Sequence, residues 1–140
     1  MTAKKQLLLV DDDQDILDQL SLALRAEGYE VVTAQGRQEG EETLMLRQPD
    51  LAIIDLMMEE RDSGFVLCYE IKKLYPDTPV IMLTAVTATT GLDFHARSKE
   101  ARSWLKADAL LDKPVRFEQL KEEVRRLLRS QATEATAAGV

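Results

Sequence analysis

Short apolar runs recur along this chain at the length of β-strands. The runs over residues 7–10, 51–54 and 80–83 show no alternation of polar and apolar positions, which is typical of strands covered on both faces. Two more strands are indicated by a β-branched run at 30–34 and a short run at 109–112. The pattern therefore predicts five strands.

Between these strands, apolar residues recur at helical spacing. They predict helices over residues 14–27, 37–47, 64–74 and about 92–105, and a last helix that begins near Phe117. Alternating strands and helices indicate an α/β fold with a parallel sheet, right-handed crossovers and helices on both faces. Residues 131–140 carry no apolar stripe, so we expect a single domain over residues 1–130 followed by a disordered tail or the stump of a linker.

Composition argues against several classes of function. The 140 residues include 25 acidic and 18 basic side chains and carry a net charge of -7, which argues against direct nucleic-acid binding and against a membrane surface. The apolar run before Asp11 is too short for a signal peptide or a membrane span. Cys68, the only cysteine, lies in an apolar segment and is expected to be a buried, reduced thiol, which suits a cytoplasmic protein.

Asp55 comes directly after the apolar run at 51–54, at the predicted C-terminal end of the third strand. In open parallel sheets, that end of the strands lines the crevice where ligands bind. Strand ends also carry aspartates that only form turns or helix caps. Taken alone, the position of Asp55 leaves both interpretations open.

Other predicted strand ends carry chemically useful side chains as well. Asp11 and Asp12 follow the first strand, Thr84 ends the fourth, and Lys113 follows the fifth. Because the C-termini of parallel strands share one edge, we expect these residues to converge on Asp55. Three carboxylates within about 4 Å of one another repel by roughly 4 kcal/mol per pair at an effective dielectric constant near 20. A bound cation would relieve that repulsion.

Mg²⁺ fits these groups, since it prefers hard oxygen ligands. A zinc site is not indicated, because His95, the only histidine, is distant in sequence from this edge. Thr84 and Lys113 supply a hydroxyl and an ammonium, the donors needed to hold a phosphoryl group during transfer. Asp55 is then the natural nucleophile, because a carboxylate can form an aspartyl phosphate. Considered singly, Lys113 is also explained by a salt bridge and Thr84 by a satisfied strand end.

Four motifs, in their order along the chain, resemble the receiver domains of two-component response regulators, including the chemotaxis receivers. The motifs are Leu8–Asp13, Ile53–Met58, Leu83–Ala85 and Asp112–Val115, and the similarity extends from Leu7 to about Arg129. The resemblance implies a flavodoxin-like, doubly wound, five-stranded sheet of strand order 2-1-3-4-5 with five helices. It also implies a phosphoacceptor in phosphorelay signal transduction.

The resemblance implies a role for each residue at the acidic edge. Asp55 would accept a phosphoryl group from the phosphohistidine of a sensor histidine kinase or a phosphotransfer protein. Asp11, Asp12, Asp55 and the backbone carbonyl of Met57 would hold Mg²⁺, with Asp12 binding directly and Asp11 partly through water.

Thr84 and Lys113 would contact the phosphoryl oxygens, and the Lys113–Pro114 peptide bond would be cis. Phosphorylation would then change the affinity for a downstream effector domain or protein.

The chain departs from the usual receiver pattern at several positions. Leu110 stands where the family usually has a Tyr or Phe that turns inward, Glu59 replaces a proline, and Lys106 replaces a glycine. Thr84 and Lys113 lie 29 positions apart, several more than is common. We hypothesise that the lengthened crossover at 85–108 recognises a partner; a neutral surface insertion is the other explanation.

Other functions with related chemistry fit the sequence less well. An aspartate-nucleophile phosphatase of the haloacid-dehalogenase type needs a longer chain and a second aspartate where Met57 stands. In a flavodoxin-like FMN binder, the acidic run Asp11–Asp13 would repel the phosphate. A receiver fold that docks partners without phosphorylation is a further alternative. We therefore expect a signalling domain, limited to self-phosphoryl transfer and slow autodephosphorylation, and not a metabolic enzyme; the sequence leaves dimerisation open.

Overall fold

The computed structural model describes residues 4–56, 63–85 and 107–138. Within these ranges the strands are β1 (Gln6–Val10), β2 (Glu30–Ala34), β3 (Leu51–Asp55), β4 (Val80–Ala85) and β5 (Ala109–Lys113). The helices are α1 (Gln14–Ala26), α2 (Arg37–Leu46), α3 (Ser63–Leu74) and α4 (Phe117–Ala138). The helix predicted at about 92–105 lies outside the described residues.

The five strands form one parallel sheet in the order β2-β1-β3-β4-β5, which confirms the flavodoxin-like arrangement. β1, β3 and β4 occupy its centre, which explains why their sequences are apolar at nearly every position. In this register Asp55 lies level with Leu83 on β4, and Thr84 lies level with Asp112 on β5. The strand ends that carry polar side chains therefore meet at one edge of the sheet.

Two hydrophobic cores cover the two faces of the sheet. On one face, Leu17 of α1 and Val124 of α4 pack in a cluster with Ile53 of β3. On the other face, Ile71 of α3 packs in a cluster with Ile54, the next residue of β3. Each buried side chain of this size contributes roughly 1.5–3 kcal/mol, so β3 is held firmly between both layers.

At one outer edge of the sheet, a side chain from α1 binds a backbone carbonyl of β2. Of the described strands, only β1 pairs with β2, and Glu30 donates its N–H to the carbonyl oxygen of Lys5 on that side. The neighbouring residue, Val31, therefore points its backbone carbonyl outward. Arg25 Nη2 donates a hydrogen bond to this carbonyl oxygen at 3.0 Å.

The last helix is longer than the sequence predicted. α4 continues to Ala138, so residues 131–138 are helical, whereas the sequence predicted a disordered tail or the stump of a linker from residue 131. That segment has no apolar stripe, but four of its eight residues are Ala, the strongest helix former, and extending an existing helix avoids the cost of nucleation. The division of the chain at residue 130 and the role of the tail as a linker stay predictions.

Cys68 is a free, buried thiol on α3, as the apolar pattern around it predicted. Burial raises the pKa of its thiol to about 11, so little thiolate forms at neutral pH. The side chain therefore behaves as a small apolar residue of the core.

Across the three described ranges, no helix has the length and apolar character that a bilayer crossing needs.

Candidate functional site

Three carboxylates lie together at the C-terminal edge of the sheet. Asp11 follows β1 and is completely buried, Asp55 is the buried last residue of β3, and Asp12 is exposed. One oxygen from each of them lies within 4.8 Å of the others. Within the described part of the chain, no other group of three such side chains is placed to share a metal ion.

The loop after β1 fixes the orientation of Asp11. The backbone N–H of Asp13 donates to Asp11 Oδ1 at 2.9 Å, and the backbone N–H of Asp11 donates to the carbonyl oxygen of Ala34 at 3.2 Å. Asp13 itself caps α1, since its Oδ1 accepts the N–H of Asp15 at 3.0 Å. The acidic run thus builds both the carboxylate cluster and the start of the helix.

Lys113, the last residue of β5, reaches into this cluster. Its Nζ lies 3.1 Å from Asp11 Oδ2 and 3.3 Å from Asp55 Oδ2, and its side chain is 19% exposed. Desolvation by itself would lower the pKa of Lys113, but the charges of Asp55 and Asp11 and their hydrogen bonds outweigh it and raise the pKa above its ordinary value. Lys113 is therefore a full positive charge that offsets only part of the acidic cluster.

The donor set fits Mg²⁺. Asp11, Asp12 and Asp55 offer hard carboxylate oxygens, and among the described residues no His or Cys joins them as a ligand. With Lys113 charged, three carboxylates leave a local net charge of about −2, which a divalent cation would balance.

The structure also describes three other positions that the sequence analysis singled out. Thr84 is buried near the end of β4, at the same sheet edge as Asp55. The Lys113–Pro114 peptide bond is cis, as the resemblance implied. Leu110 is partly buried against the core on the α3 side.

Several residues singled out in the sequence lie outside the described ranges. They are Met57, Glu59, His95, Lys106 and most of the crossover at 85–108.

Gly64 touches the site in a way that the sequence patterns did not indicate. Its N–H donates to the carbonyl oxygen of Leu56 at 3.1 Å. A Cβ at this position would overlap the carbonyl oxygen of Asp55 and would lie 2.6 Å from both Cα and O of Leu56. The first turn of α3 thus packs directly on the backbone that carries Asp55. A glycine directly after a polar loop was the only signal available in the sequence.

A parallel sheet of this order, with clustered aspartates and a lysine at its C-terminal edge, defines the class of phosphoacceptor signalling domains. The family model for the response regulator receiver domain matches residues 7–125. The chain belongs to this family.

Known proteins similar to this chain support the same assignment. The transcriptional regulatory protein GlrR of Escherichia coli is 52% identical over 79 residues, which are 56% of this chain. The chain spans only 18% of the length of GlrR. A CheY-like receiver domain from Methanospirillum hungatei superposes with a TM-score of 0.78 at 31% identity, covering 94% of this chain and 99% of that one.

The response regulator TrrA of Thermotoga maritima was solved in complex with Mg²⁺ and BeF. It superposes with a TM-score of 0.72 at 32% identity, covering 88% of this chain and 98% of its own.

Proposed function

We propose that Asp55 accepts a phosphoryl group from the phosphohistidine of a sensor histidine kinase or a phosphotransfer protein, in a Mg²⁺-dependent reaction. The observation that supports this proposal is the contact of Lys113 Nζ with Asp11 and Asp55 beside three carboxylate oxygens that lie within 4.8 Å of one another. Such a cluster joins a nucleophile, a cation site and a phosphate-binding ammonium at one point.

In the transfer step, a carboxylate oxygen of Asp55 attacks the phosphorus atom of the donor. The new O–P bond forms as the P–N bond to the donor imidazole breaks, and the imidazole nitrogen keeps the electron pair and takes up a proton. Attack by the ionised form of the carboxylate requires no general base. As the reaction proceeds, Lys113 Nζ would exchange a carboxylate oxygen for a phosphoryl oxygen as its hydrogen-bond acceptor.

The other residues complete this proposal. Asp11, Asp12 and Asp55 would hold Mg²⁺ together with the backbone carbonyl of Met57. The bound ion would neutralise charge on the phosphoryl oxygens. Thr84 would donate its hydroxyl to a phosphoryl oxygen from the end of β4.

Phosphorylation would change the affinity for a downstream effector domain or protein, in the cytoplasm. The similarity to GlrR, a transcriptional regulatory protein, supports such an output. Leu110 lacks the aromatic ring that the family usually has there, so the response would pass through repacking of an aliphatic side chain against the α3-side core. The domain would release its phosphate slowly by autodephosphorylation. A dimer is compatible with this mode of action.

The experiment is phosphorylation by acetyl phosphate, a small-molecule phosphodonor, followed by intact mass. Wild type should gain one phosphoryl group in the presence of Mg²⁺ and none in the presence of EDTA. Asp55→Asn should gain none, whereas Asp18→Asn, which removes an exposed carboxylate on α1, should behave as wild type.

An adduct on Asp55→Asn, or one that is independent of Mg²⁺, would refute the proposal. Binding of Mg²⁺ without any adduct from acetyl phosphate or from a histidine kinase would favour a receiver fold that docks partners without phosphorylation.

A further inference from the structure

Asp50 and Asp108 lie one residue before β3 and β5, at the sheet edge opposite the carboxylate cluster. Asp50 donates its backbone N–H to the carbonyl oxygen of Gln6 at 2.8 Å, and its Oδ2 accepts the N–H of Gln6 at 2.7 Å. Asp108 makes the same two bonds with Val80, both at 2.8 Å. Each aspartate therefore closes a ring of two hydrogen bonds with the first residue of the neighbouring strand, β1 or β4.

These two rings directly precede the two strands that carry Asp55 and Lys113. Asp55 is the fifth residue after Asp50, and Lys113 is the fifth residue after Asp108, so the two rings stand at the same distance from the two side chains. Sliding a strand by one residue moves its side chains about 3.3 Å and turns them to the opposite face. Lys113 Nζ lies 3.1 Å from Asp11 and 3.3 Å from Asp55, so either shift would break the cluster.

The apolar pattern of these strands specifies their register only weakly. β3 is apolar at every position before Asp55 and is buried on both faces. On β5, the adjacent Leu110 and Leu111 pack against opposite cores. A slip by one residue would mostly exchange one apolar side chain for another, so burial alone discriminates poorly between registers. The polar rings are satisfied in one register only.

The ring at Asp108 is reinforced from α3. Lys72 Nζ donates to the same Oδ2 of Asp108 at 2.9 Å and to the carbonyl oxygen of Thr78 at 2.8 Å. Among the strands that the structure describes, β5 pairs with β4 alone, whereas β3 is held by a strand on each side. The position of β5, which carries Lys113, therefore depends more on the ring at Asp108 than the position of β3 depends on the ring at Asp50.

We propose that Asp50 and Asp108 are positioning residues that set the register of β3 and β5 and thereby align Asp55 with Lys113 for phosphoryl transfer. The inference rests on the proposed function, because it takes the roles of Asp55 and Lys113 from there. Both aspartates act through the strands that follow them.

The first test compares initial rates of Mg²⁺-dependent phosphorylation by acetyl phosphate. Asp108→Ala should lower the rate about tenfold, since misplacement of a catalytic group by about 1 Å costs up to roughly a hundredfold. Asp108→Asn keeps an acceptor oxygen and should stay within about twofold of wild type. Glu30→Ala, which removes an exposed carboxylate at the start of β2, is the matched control and should leave the rate unchanged.

Combining Asp108→Ala with Lys113→Met distinguishes misalignment of Lys113 from a general loss of structure. Asp108→Ala should cause no further loss in the Lys113→Met background, because its effect passes through Lys113. An equal loss in both backgrounds, or an unchanged rate in Asp108→Ala, would overturn the proposal.

Amide hydrogen exchange tests the anchors without phosphorylation. Asp108→Ala should speed exchange at Val80 and along β5, and Asp50→Ala should do so at Gln6 and along β3. Unchanged protection in folded variants would overturn the inference. Absence of any adduct on the wild-type protein would instead refute the proposed function. The exchange data would still decide whether Asp50 and Asp108 set the register of their strands.

Discussion

Gly64→Ala is expected to damage both stability and the site, because the added Cβ meets backbone and not a flexible side chain. The methyl group would overlap the carbonyl oxygen of Asp55 and lie 2.6 Å from two atoms of Leu56. Overpacking of a rigid site costs about 1–3 kcal/mol. We expect a loss near the upper end of that range, about 3 kcal/mol, which lowers the midpoint of thermal unfolding by roughly 10 °C in a chain of this length.

Gly40→Ala provides the matched control, since Gly40 also lies in a helix and is also closely packed. Its Cβ would meet Leu67 Cδ2 at 2.9 Å, the far end of a side chain that can move, and Ala gains about 0.5–1 kcal/mol over Gly in a helix. Gly40→Ala should therefore stay within about 1 kcal/mol of wild type. Urea denaturation of both variants, with the acetyl phosphate assay on each, measures the contrast.

Equal stability of the two variants would show that α3 moves away from β3 without cost, and would refute the close packing on Asp55. A Gly64→Ala protein that is destabilised but phosphorylated at the wild-type rate would show that the strain is relieved away from the carboxylate.

Three further predictions follow from named contacts. Saturating Mg²⁺ should raise the midpoint of thermal unfolding of the wild type, since a ligand at a hundred times its Kd stabilises by about 2.7 kcal/mol. Calorimetry of Asp11→Asn should show little of this shift. Cys68, with its pKa raised by burial from 9.0 to about 11, should react with a thiol reagent at pH 8 only in denaturant. Because the folded state binds this proton more tightly, the free energy of unfolding should also fall as pH rises from 9 to 11, and Cys68→Ala should lack that component. Tyr75→Phe removes the hydrogen bond to the carbonyl oxygen of Leu44 at 2.7 Å and should cost about 1 kcal/mol in urea, with the phosphorylation rate unchanged.

The apolar runs predicted the sheet well because hydrophobic burial decides which segments become central strands. β3 and β4 are buried on both faces, and their sequences carry no polar residue before the functional edge. The convergence of Asp11, Asp55 and Lys113 followed from the geometry of parallel strands, which brings all C-termini to one side. What the sequence could not supply was the burial of each acid: Asp11 is fully buried, whereas its neighbour Asp12 is exposed.

Features that depend on backbone contacts between distant segments were not predictable from local pattern. Asp50 and Asp108 look like ordinary turn residues, and their partners lie 44 and 28 positions away in the chain. Gly64 carries no periodic signal, because its constraint comes from the end of β3. The extension of α4 to Ala138 depends on propensity within a helix already formed, which an apolar stripe does not report.

Arg25 has a consequence for the behaviour of the protein at high concentration. A strand at the rim of a sheet offers unpaired backbone groups on which a second chain can add another strand, and this is a common route to aggregation. On β2, the outward carbonyl of Val31 is already taken by a charged side chain that water also solvates. A strand of a second chain that added to β2 would have to displace this guanidinium. The Arg25 contact therefore disfavours edge-to-edge aggregation at β2.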